Sequence, residues 1–549
     1  MNLLKLFAKE FSGNLWGFLL ISALAGLSNA VILAIINIAA DHASETSASL
    51  KYLLLFFITM SIYVLTQRHI MVTSTQQVER MIHRIRTSIV NKIQACDLTT
   101  IESVGDARIF SNITKETTTI SQAAPMLVIA VQSGVLIFFT LLYIAWLSLA
   151  AFGLTIGFIS IALVFHFKFL KKVSTAIHLA TQDEMKLFDR VTDALSGFKE
   201  SRMNQARNDD LYDDANKISK QASENKTIAQ TNISYHFIIS QSTFYLLLAT
   251  MVFLLPNFSD TYSEVVIKTT TTVLFLIGPI SSLVGAVPLF NAANIAINNV
   301  NMLEAELEKH VVKESADPRD HIAQELLDNF SQISFNNVSF SYPQQGDDQQ
   351  FSIGPIDLKV SRGDIIFIAG GNGSGKSTFI KLLTGLYFPS SGSIKIDDTV
   401  IGHQNSQQYR NLMACVFTEY HLFKIAYGLR HVPAETVNSL IQYLELDDKV
   451  SLNADEFSTI ELSAGQKKRI ALLVSLMEDR PIYIFDEWAA DQDPEFRRKF
   501  YKEILPNLKK QNKTVIAITH DDRYFDCADY LIRIDEGKVV SYMKENADA

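Results

Sequence analysis

The eight residues Gly370-Gly-Asn-Gly-Ser-Gly-Lys-Ser377 satisfy the spacing GxxxxGK[ST]. Glycines so placed let backbone N–H groups close around phosphate oxygens, and a helix beginning there adds the positive end of its dipole. Gly370, Gly371, Asn372, Gly373, Ser374 and Gly375 would line that cradle, with Thr378 just behind it. Lys376 would reach the β- and γ-phosphates of a nucleotide, and the Ser377 hydroxyl would ligate Mg2+. Further along, Ile482-Tyr-Ile-Phe-Asp486-Glu487 is an apolar run ending in two acids. Beside a phosphate loop, Asp486 is placed to hold the water shell of a metal, and Glu487 to polarise the water that attacks the γ-phosphate. Taken alone, each pattern has a plain reading: a glycine-rich connection with a surface lysine, or a strand end with solvated acids. Their conjunction favours ATP hydrolysis. Between them, Glu461-Leu-Ser-Ala-Gly-Gln-Lys-Lys-Arg469 sets Ser463 and Gly465 at a helix start, a second anion-binding geometry.

Such residues need strands and helices to position them. From Phe330 onward, short β-branched runs, turn residues and helical stretches alternate, which predicts an α/β sheet domain. Ile365–Ala369, Ser393–Ile396, Ile482–Phe485 and Val515–Thr519 read as its strands, three of them apolar enough to be buried.

The first half has another character. The chain has 549 residues, 48% hydrophobic and only 19% charged, with a mean hydropathy of +0.14. That length implies at least two domains. With 12 Pro, 23 Gly and 3 Cys, disordered, collagen-like and disulfide-framework classes are excluded. A net charge of −9 argues against a nucleic-acid binder. Cys96, Cys415 and Cys527 lie far apart with no CxxC spacing and read as reduced thiols.

Uncharged stretches recur before residue 304, and about 20 apolar residues suffice to cross a bilayer. Six transmembrane helices are predicted, at about 13–40, 50–73, 122–146, 148–170, 232–256 and 265–303. Lys and Arg crowd the two long loops, with Arg80, Arg84 and Arg86 in one and Lys168, Lys171 and Lys172 opening the other. By the positive-inside tendency those loops and both termini are cytoplasmic. The predicted organisation is a membrane domain over 1–303, a linker over 304–329 and a nucleotide-binding domain over 330–549.

Leu462-Ser-Ala-Gly-Gln466 resembles the signature LSGGQ of ABC transporters. Further positions match that family in order. Tyr342 in Val-Ser-Phe-Ser-Tyr-Pro stands where an aromatic stacks on adenine, Asp493 where the D-loop acid lies, and His520 where the switch histidine senses the γ-phosphate. The resemblance covers essentially the whole chain. It implies a membrane all-α domain of six helices, ABC exporter type, followed by an α/β P-loop ATPase domain. The wording at Gly370–Thr378, Val416–Phe423, Leu462–Arg469 and Asp486–Pro494 is similar to bacterial cyclic-peptide and siderophore exporters, the group that moves pyoverdine-type and syringomycin-type products and lasso peptides. Two departures stand out: Thr418 and Glu419 replace the Q-loop glutamine that completes the Mg2+ shell, and Ala464 replaces the first signature glycine.

In that family ATP lies between the phosphate loop of one subunit and the signature of the other. One copy of each motif therefore implies a homodimer. Alternating access driven by ATP would move a small or cyclic peptide across the bacterial inner membrane. Short coupling helices are expected at Glu102–Asn112 and Leu195–Gln205. Polar residues within spans (Gln132, Tyr235, His236, Gln241, Thr269 to Thr272, Asn291, Asn294, Asn298) are candidates to face a cavity or another helix. Pro279 and Pro288 could bend the sixth span. A lipid or multidrug exporter with the same engine is the first rival, and an ATP-sensing regulatory membrane protein the second.

Overall fold

The computed structural model describes residues 15–41, 46–254, 264–310, 329–342 and 351–544. Both chain ends, and most of the expected linker, lie outside the described residues. The chain divides into two units: residues 1–93 with 105–306, and residues 94–104 with 307–549.

The first unit is helical. Its elements are α1 (Leu15–Asp41) and α2 (Thr46–Ala95), then, beyond the short α3 (Leu98–Val104), α4 (Asp106–Ser111) and α5 (Thr117–Leu147). They are followed by α6 (Leu149–Ser196), α7 (Phe198–Arg202), α8 (Gln205–Phe253) and α9 (Glu264–Lys309). Among the described residues, five helices carry a stretch long and apolar enough to cross a membrane, and Leu149–Phe165 is a shorter apolar one. Ser148 makes the turn between α5 and α6, accepting a hydrogen bond from the Ala151 N–H as an N-cap. Helices α2, α6 and α8 run on far past their apolar stretches. There α6 and α8 are tied by polar pairs: Asn225 donates to Asp183 at 2.6 Å, and Lys226 meets Glu184 at 2.7 Å. Helix α1 approaches α5 so closely at Gly26 that a Cβ would sit 2.8 Å from Val135. Pro279 and Pro288 both fall inside a continuous α9.

The first expected coupling helix is split. Gly105, at φ 81°, adopts a left-handed turn that separates α3 from α4. Residues 94–104 thus belong to the ATPase-side unit, while α4 belongs to the helical one. Within Leu195–Gln205, the second segment expected to form a coupling helix, lies the short α7.

The second unit is built on a six-stranded sheet in the order β12-β11-β3-β10-β9-β6. Its strands are β3 (Ile365–Ala369), β6 (Met413–Val416), β9 (Ile482–Asp486), β10 (Thr514–Ile518), β11 (Tyr530–Asp535) and β12 (Lys538–Lys544), while β7 (Leu452–Asn453) and β8 (Glu456–Phe457) form a separate antiparallel pair. The four strands β3, β10, β9 and β6 pair in parallel, as does β11 with β3. Every residue of β3, β9 and β10 is buried, as parallel strands covered on both faces must be. Their side chains alternate between two cores. Phe367, Phe485 and Ala517 face the helical side with Leu472 and Phe500. Ile366, Ile368, Ile484 and Ile516 face a second core shared with an antiparallel sheet of β1 (Gln332–Ser341), β2 (Ser352–Ser361), β4 (Ser391–Ile396) and β5 (Thr399–Val400). The last predicted strand is shifted by one residue, to Thr514–Ile518, because Thr519 already leads the turn into His520. Register brings Ile518 opposite both Ile368 and Asp486. The carboxyl ends of three strands therefore share one edge, where ligands of open α/β sheets bind.

Candidate active site

The phosphate loop leaves β3 at that edge and runs into α10 (Lys376–Leu383). Gly370 passes so close to β11 that a Cβ would stand 2.1 Å from the Ile534 carbonyl, so no other residue fits without backbone movement. Gly373 and Gly375 hold left-handed φ of 77° and 103°. Lys376 is only 6% exposed, and its ammonium donates to the Gly370 and Gly371 carbonyls at 3.0 and 2.9 Å. The Ser374 hydroxyl is buried without a hydrogen-bond partner among the described residues. A buried ammonium held by carbonyls, an orphan hydroxyl and a cradle that a Cβ would fill together fit a polyphosphate. Asn372 and Ser377 lie within the same loop and helix start, and Thr378 accepts or donates a 2.9 Å hydrogen bond with the Tyr342 hydroxyl. Tyr342 thus comes beside the loop. Its ring meets Phe340 and Tyr387 edge-on.

Asp486 closes β9 and is 5% exposed. Burial pushes its carboxyl above the usual range, hydrogen bonds from Thr418 pull it back, and the neighbouring Glu487 adds to the rise. The Thr418 N–H donates to Asp486 Oδ2 at 3.4 Å, and its hydroxyl to the Asp486 carbonyl at 3.2 Å. Glu419 is exposed. Glu487 sits in the left-handed region at φ 50°, uncommon for a residue with a side chain. Three bonds hold its backbone: its N–H donates to the Ile518 carbonyl at 3.2 Å, and its carbonyl accepts from the Lys468 ammonium at 2.9 Å and the Ala490 N–H at 3.4 Å. The bend aims its carboxylate at His520, whose Nε2 lies 3.1 Å from Glu487 Oε1. Base candidate and switch candidate are therefore joined.

The signature begins α12 (Ala464–Glu478), preceded in this unit by α11 (Ala434–Tyr443). Ser463 is its N-cap in a capping box: its hydroxyl accepts from the Gln466 N–H, and the Gln466 side chain accepts from the Ser463 N–H. Ser463 and Ala464 are exposed, so this helix start is open to solvent. Gly465 backs onto the Asp491 carbonyl, which a Cβ would meet at 2.8 Å. Asp493 caps the helix Pro494–Lys499 through the Phe496 N–H, the bond that holds its carboxyl below the usual range.

Four residues to which the sequence reading gave no role bind these parts together. Lys468, 4% exposed, pairs with Asp491 at 2.8 Å besides holding Glu487. Trp488 donates its indole N–H to the Lys468 carbonyl at 2.8 Å. Arg469 reaches Gln492 and Asp493 and lies over the Phe496 ring. Gln492 donates to the Gly465 carbonyl at 3.0 Å. The consecutive basic run Lys467-Lys-Arg469 was visible, but not that its second and third members turn inward. Among the described residues no cluster of three His, Cys, Asp or Glu could hold a metal by itself.

In the helical unit several polar span candidates have individual placements. Gln132 Nε2 is buried without a hydrogen-bond partner among the described residues, Gln241 donates to Tyr245, and Thr272 bridges Asn37 to the Lys268 carbonyl. Tyr235 is exposed, and the His236 side chain lies outside the described residues. A cavity of about 440 Å³ lies elsewhere, among α5, α6, α8 and α9, walled by apolar residues such as Phe158, Leu163, Phe244, Val287 and Phe290. Its two hydroxyls are those of Ser240 and Thr243, and Thr243 is bonded to the Ile239 carbonyl.

A family model described as ABC transporter matches residues 353–490. The chain is 31% identical over 482 residues to the ATP-binding protein SyrD of Pseudomonas syringae pv. syringae, covering 85% of this chain and 83% of that protein. It is 32% identical over 227 residues to the ATP-dependent lipid A-core flippase of Shewanella sp. (strain MR-4), covering 38% of this chain and 36% of that protein. Its fold is similar to a bacterial Atm1-family ABC exporter solved with ATP bound, with a TM-score of 0.78 over 96% of this chain and 94% of that one, at 16% identity. Joined to the nucleotide-ready loop and the apolar helices, these likenesses settle the kinship: the chain belongs to the ABC transporters, as an ATP-binding, membrane-spanning half-transporter related to SyrD.

Proposed function

We propose that this ABC exporter moves a cyclic or otherwise modified peptide, such as a siderophore precursor or a peptide antibiotic, out of the cytoplasm across a bacterial inner membrane. The observation that carries this reading is the length of the likeness to SyrD. Its 482 residues exceed what the ATPase unit holds, so the similarity extends into the helices that would meet the cargo. We take 1–303 as the membrane domain with six spans, 304–329 as linker, 330–549 as nucleotide-binding domain, and both termini as cytoplasmic.

The site residues take these roles in the proposal. Tyr342 stacks on adenine, Gly370 to Thr378 cradle the phosphates, and Lys376 draws the β- and γ-oxygens inward. Ser377, Asp486 and Thr418 hold Mg2+, Thr418 being favoured over Glu419 by its bonds to Asp486. Bound there, Mg2+ would neutralise charge on the phosphate oxygens. Glu487 accepts the proton of the attacking water, and His520 orients that carboxylate and senses the γ-phosphate. Ser463, Gly465 and Gln466, with Asp493, serve the site of a second copy, and a homodimer follows. The open start of α12 supports this, as do the exposed Leu195, Phe198 and Met203 around α7, which a second copy would cover.

The apolar cavity supports a second reading, in which the cargo is a lipid or a hydrophobic compound. Among the described residues no charged group lines it to meet a polar peptide. Stimulated ATPase activity of the purified protein in lipid vesicles separates the two. Stimulation by cyclic peptides, with ATP-dependent uptake into inside-out vesicles, is expected. Stimulation by lipids or diverse hydrophobic drugs, with none by cyclic peptides, would replace the first reading with the second. The held geometry of Glu487 argues against an ATP sensor that does not turn over.

A further inference from the structure

The ATPase-side unit includes eleven residues, 94–104, that the chain inserts between two membrane helices. They are anchored at several points. Leu98 packs on the core between the two sheets. Asp97 lies 3.4 Å from His403, whose ring stacks on Phe388. The most elaborate anchor is Glu102. One carboxylate oxygen accepts from the Lys381 ammonium at 2.9 Å, and the other from the Tyr387 hydroxyl at 2.6 Å. Lys381 also donates to that hydroxyl at 3.1 Å, which closes a triangle. All three groups have their partners within it.

Both other corners lead to the nucleotide. Lys381 is on α10, one turn beyond Thr378. Tyr387 is 1% exposed, its ring stacked on Phe340 at 4.8 Å and set perpendicular to Tyr342 at 5.8 Å. Tyr342 in turn bonds Thr378. Burial and the Glu102 carboxylate hold the Tyr387 hydroxyl far above its ordinary pKa, so it remains a donor. A continuous chain of contacts thus runs from the adenine platform to a carboxylate that the ATPase core does not itself supply.

We propose that Glu102 is a positioning residue for the nucleotide base: through Tyr387 it fixes the ring of Tyr342 against which adenine stacks. The inference rests on the reading of Tyr342 as that platform. If Tyr387 loses its acceptor, its hydroxyl turns to other partners and its edge contact with Tyr342 loosens. Stacking weakens while the bonds of Lys376 to Gly370 and Gly371, which fix the phosphate loop, are untouched. The arrangement is reciprocal, since whatever base binding does to Glu102, a displaced Glu102 does to base binding.

The test uses the full chain in lipid vesicles with two probes, ATP and inorganic triphosphate, which has no base. Glu102→Gln and Tyr387→Phe are each expected to raise KM for ATP about fivefold, the scale of one hydrogen bond, with kcat nearly unchanged. Inhibition by inorganic triphosphate stays at the wild-type constant, and the double variant is no worse than the single ones. Unchanged KM in Glu102→Gln, where Tyr342→Ala raises it, would overturn the proposal alone. Unchanged KM in Tyr342→Ala would overturn the platform reading and the proposal with it. Parallel loss of ATP and triphosphate affinity would also overturn it, as a general effect of destabilisation.

Discussion

Replacing Lys468 by Met isolates the clamp on the candidate base. Methionine keeps the length of the stem, so little cavity opens. Two interactions go: the 2.9 Å bond to the Glu487 carbonyl and the 2.8 Å pair with Asp491. Asp491 is 51% exposed on its side chain and rehydrates, so that pair is worth only about 0–1 kcal/mol. The carbonyl bond comes from a charged donor and is worth about 1.5–3 kcal/mol. The expected fall in stability is therefore about 1.5–4 kcal/mol. Glu487 also stands in a left-handed conformation that costs roughly 1–2 kcal/mol against the right-handed one. With the shortest of its three backbone restraints gone, it relaxes and carries its carboxylate away from His520. A reorientation penalty of roughly 1.4–2 kcal/mol corresponds to a drop in kcat of about 10- to 30-fold. ATP affinity is expected to hold, because the bonds of Lys468 go to Glu487, Asp491 and Trp488 rather than to the phosphate loop. Steady-state ATPase kinetics in vesicles, nucleotide binding at equilibrium and a denaturant melt read the three quantities. A destabilised variant with wild-type kcat would refute the clamp, and raised KM with unchanged kcat would place Lys468 in binding instead.

Glu487→Gln is expected to bind ATP normally and turn over at least ~100-fold more slowly, the usual contribution of a general base; unchanged turnover would remove Glu487 from that role. Asp486 bears on stability against pH. Its folded carboxyl is raised, so the folded chain binds the proton more tightly than the unfolded one, and this group's contribution declines as pH rises from its unfolded value through its folded one. Asp486→Asn should then melt at a higher temperature at neutral pH without Mg2+ while losing hydrolysis, and an equal or lower melting temperature would contradict the burial argument. Thr418→Ala is expected to weaken Mg2+-dependent hydrolysis more than Glu419→Ala does, measured as the Mg2+ concentration for half-maximal rate; the opposite ranking would assign the metal shell to Glu419.

Much of this site was legible because its chemistry is local. A glycine run before Lys376, two acids after an apolar run and Ser463 at a helix start each declare themselves within a few residues. Strand edges were legible to within a residue or two, since Ile365–Ala369 is bounded by Gly363, Asp364 and Gly370. What escaped was long-range burial. Nothing local distinguishes Lys467 from Lys468, yet one is partly exposed and the other nearly enclosed, because only the second lies on the face of α12 that meets the turn after Glu487. Gly105 offered a local sign, a glycine before an aspartate, but its left-handed turn and the division of residues 94–104 from α4 depend on packing against Tyr387 and Lys381, almost three hundred positions away. The cavity in the helical unit eluded a search based on polar residues because its walls are apolar.

The central claim is that each ATP is held by two copies of this chain, and complementation tests it most directly. One chain carries Lys376→Ala and an intact signature; the other carries Ser463→Arg and an intact phosphate loop. Each is expected to be inactive alone. Co-expressed and co-purified, they form one intact site from the phosphate loop of the second and the signature of the first, and ATP hydrolysis should return. A mixed particle as silent as its parents, although shown to contain both chains, would mean that each polypeptide builds its site alone.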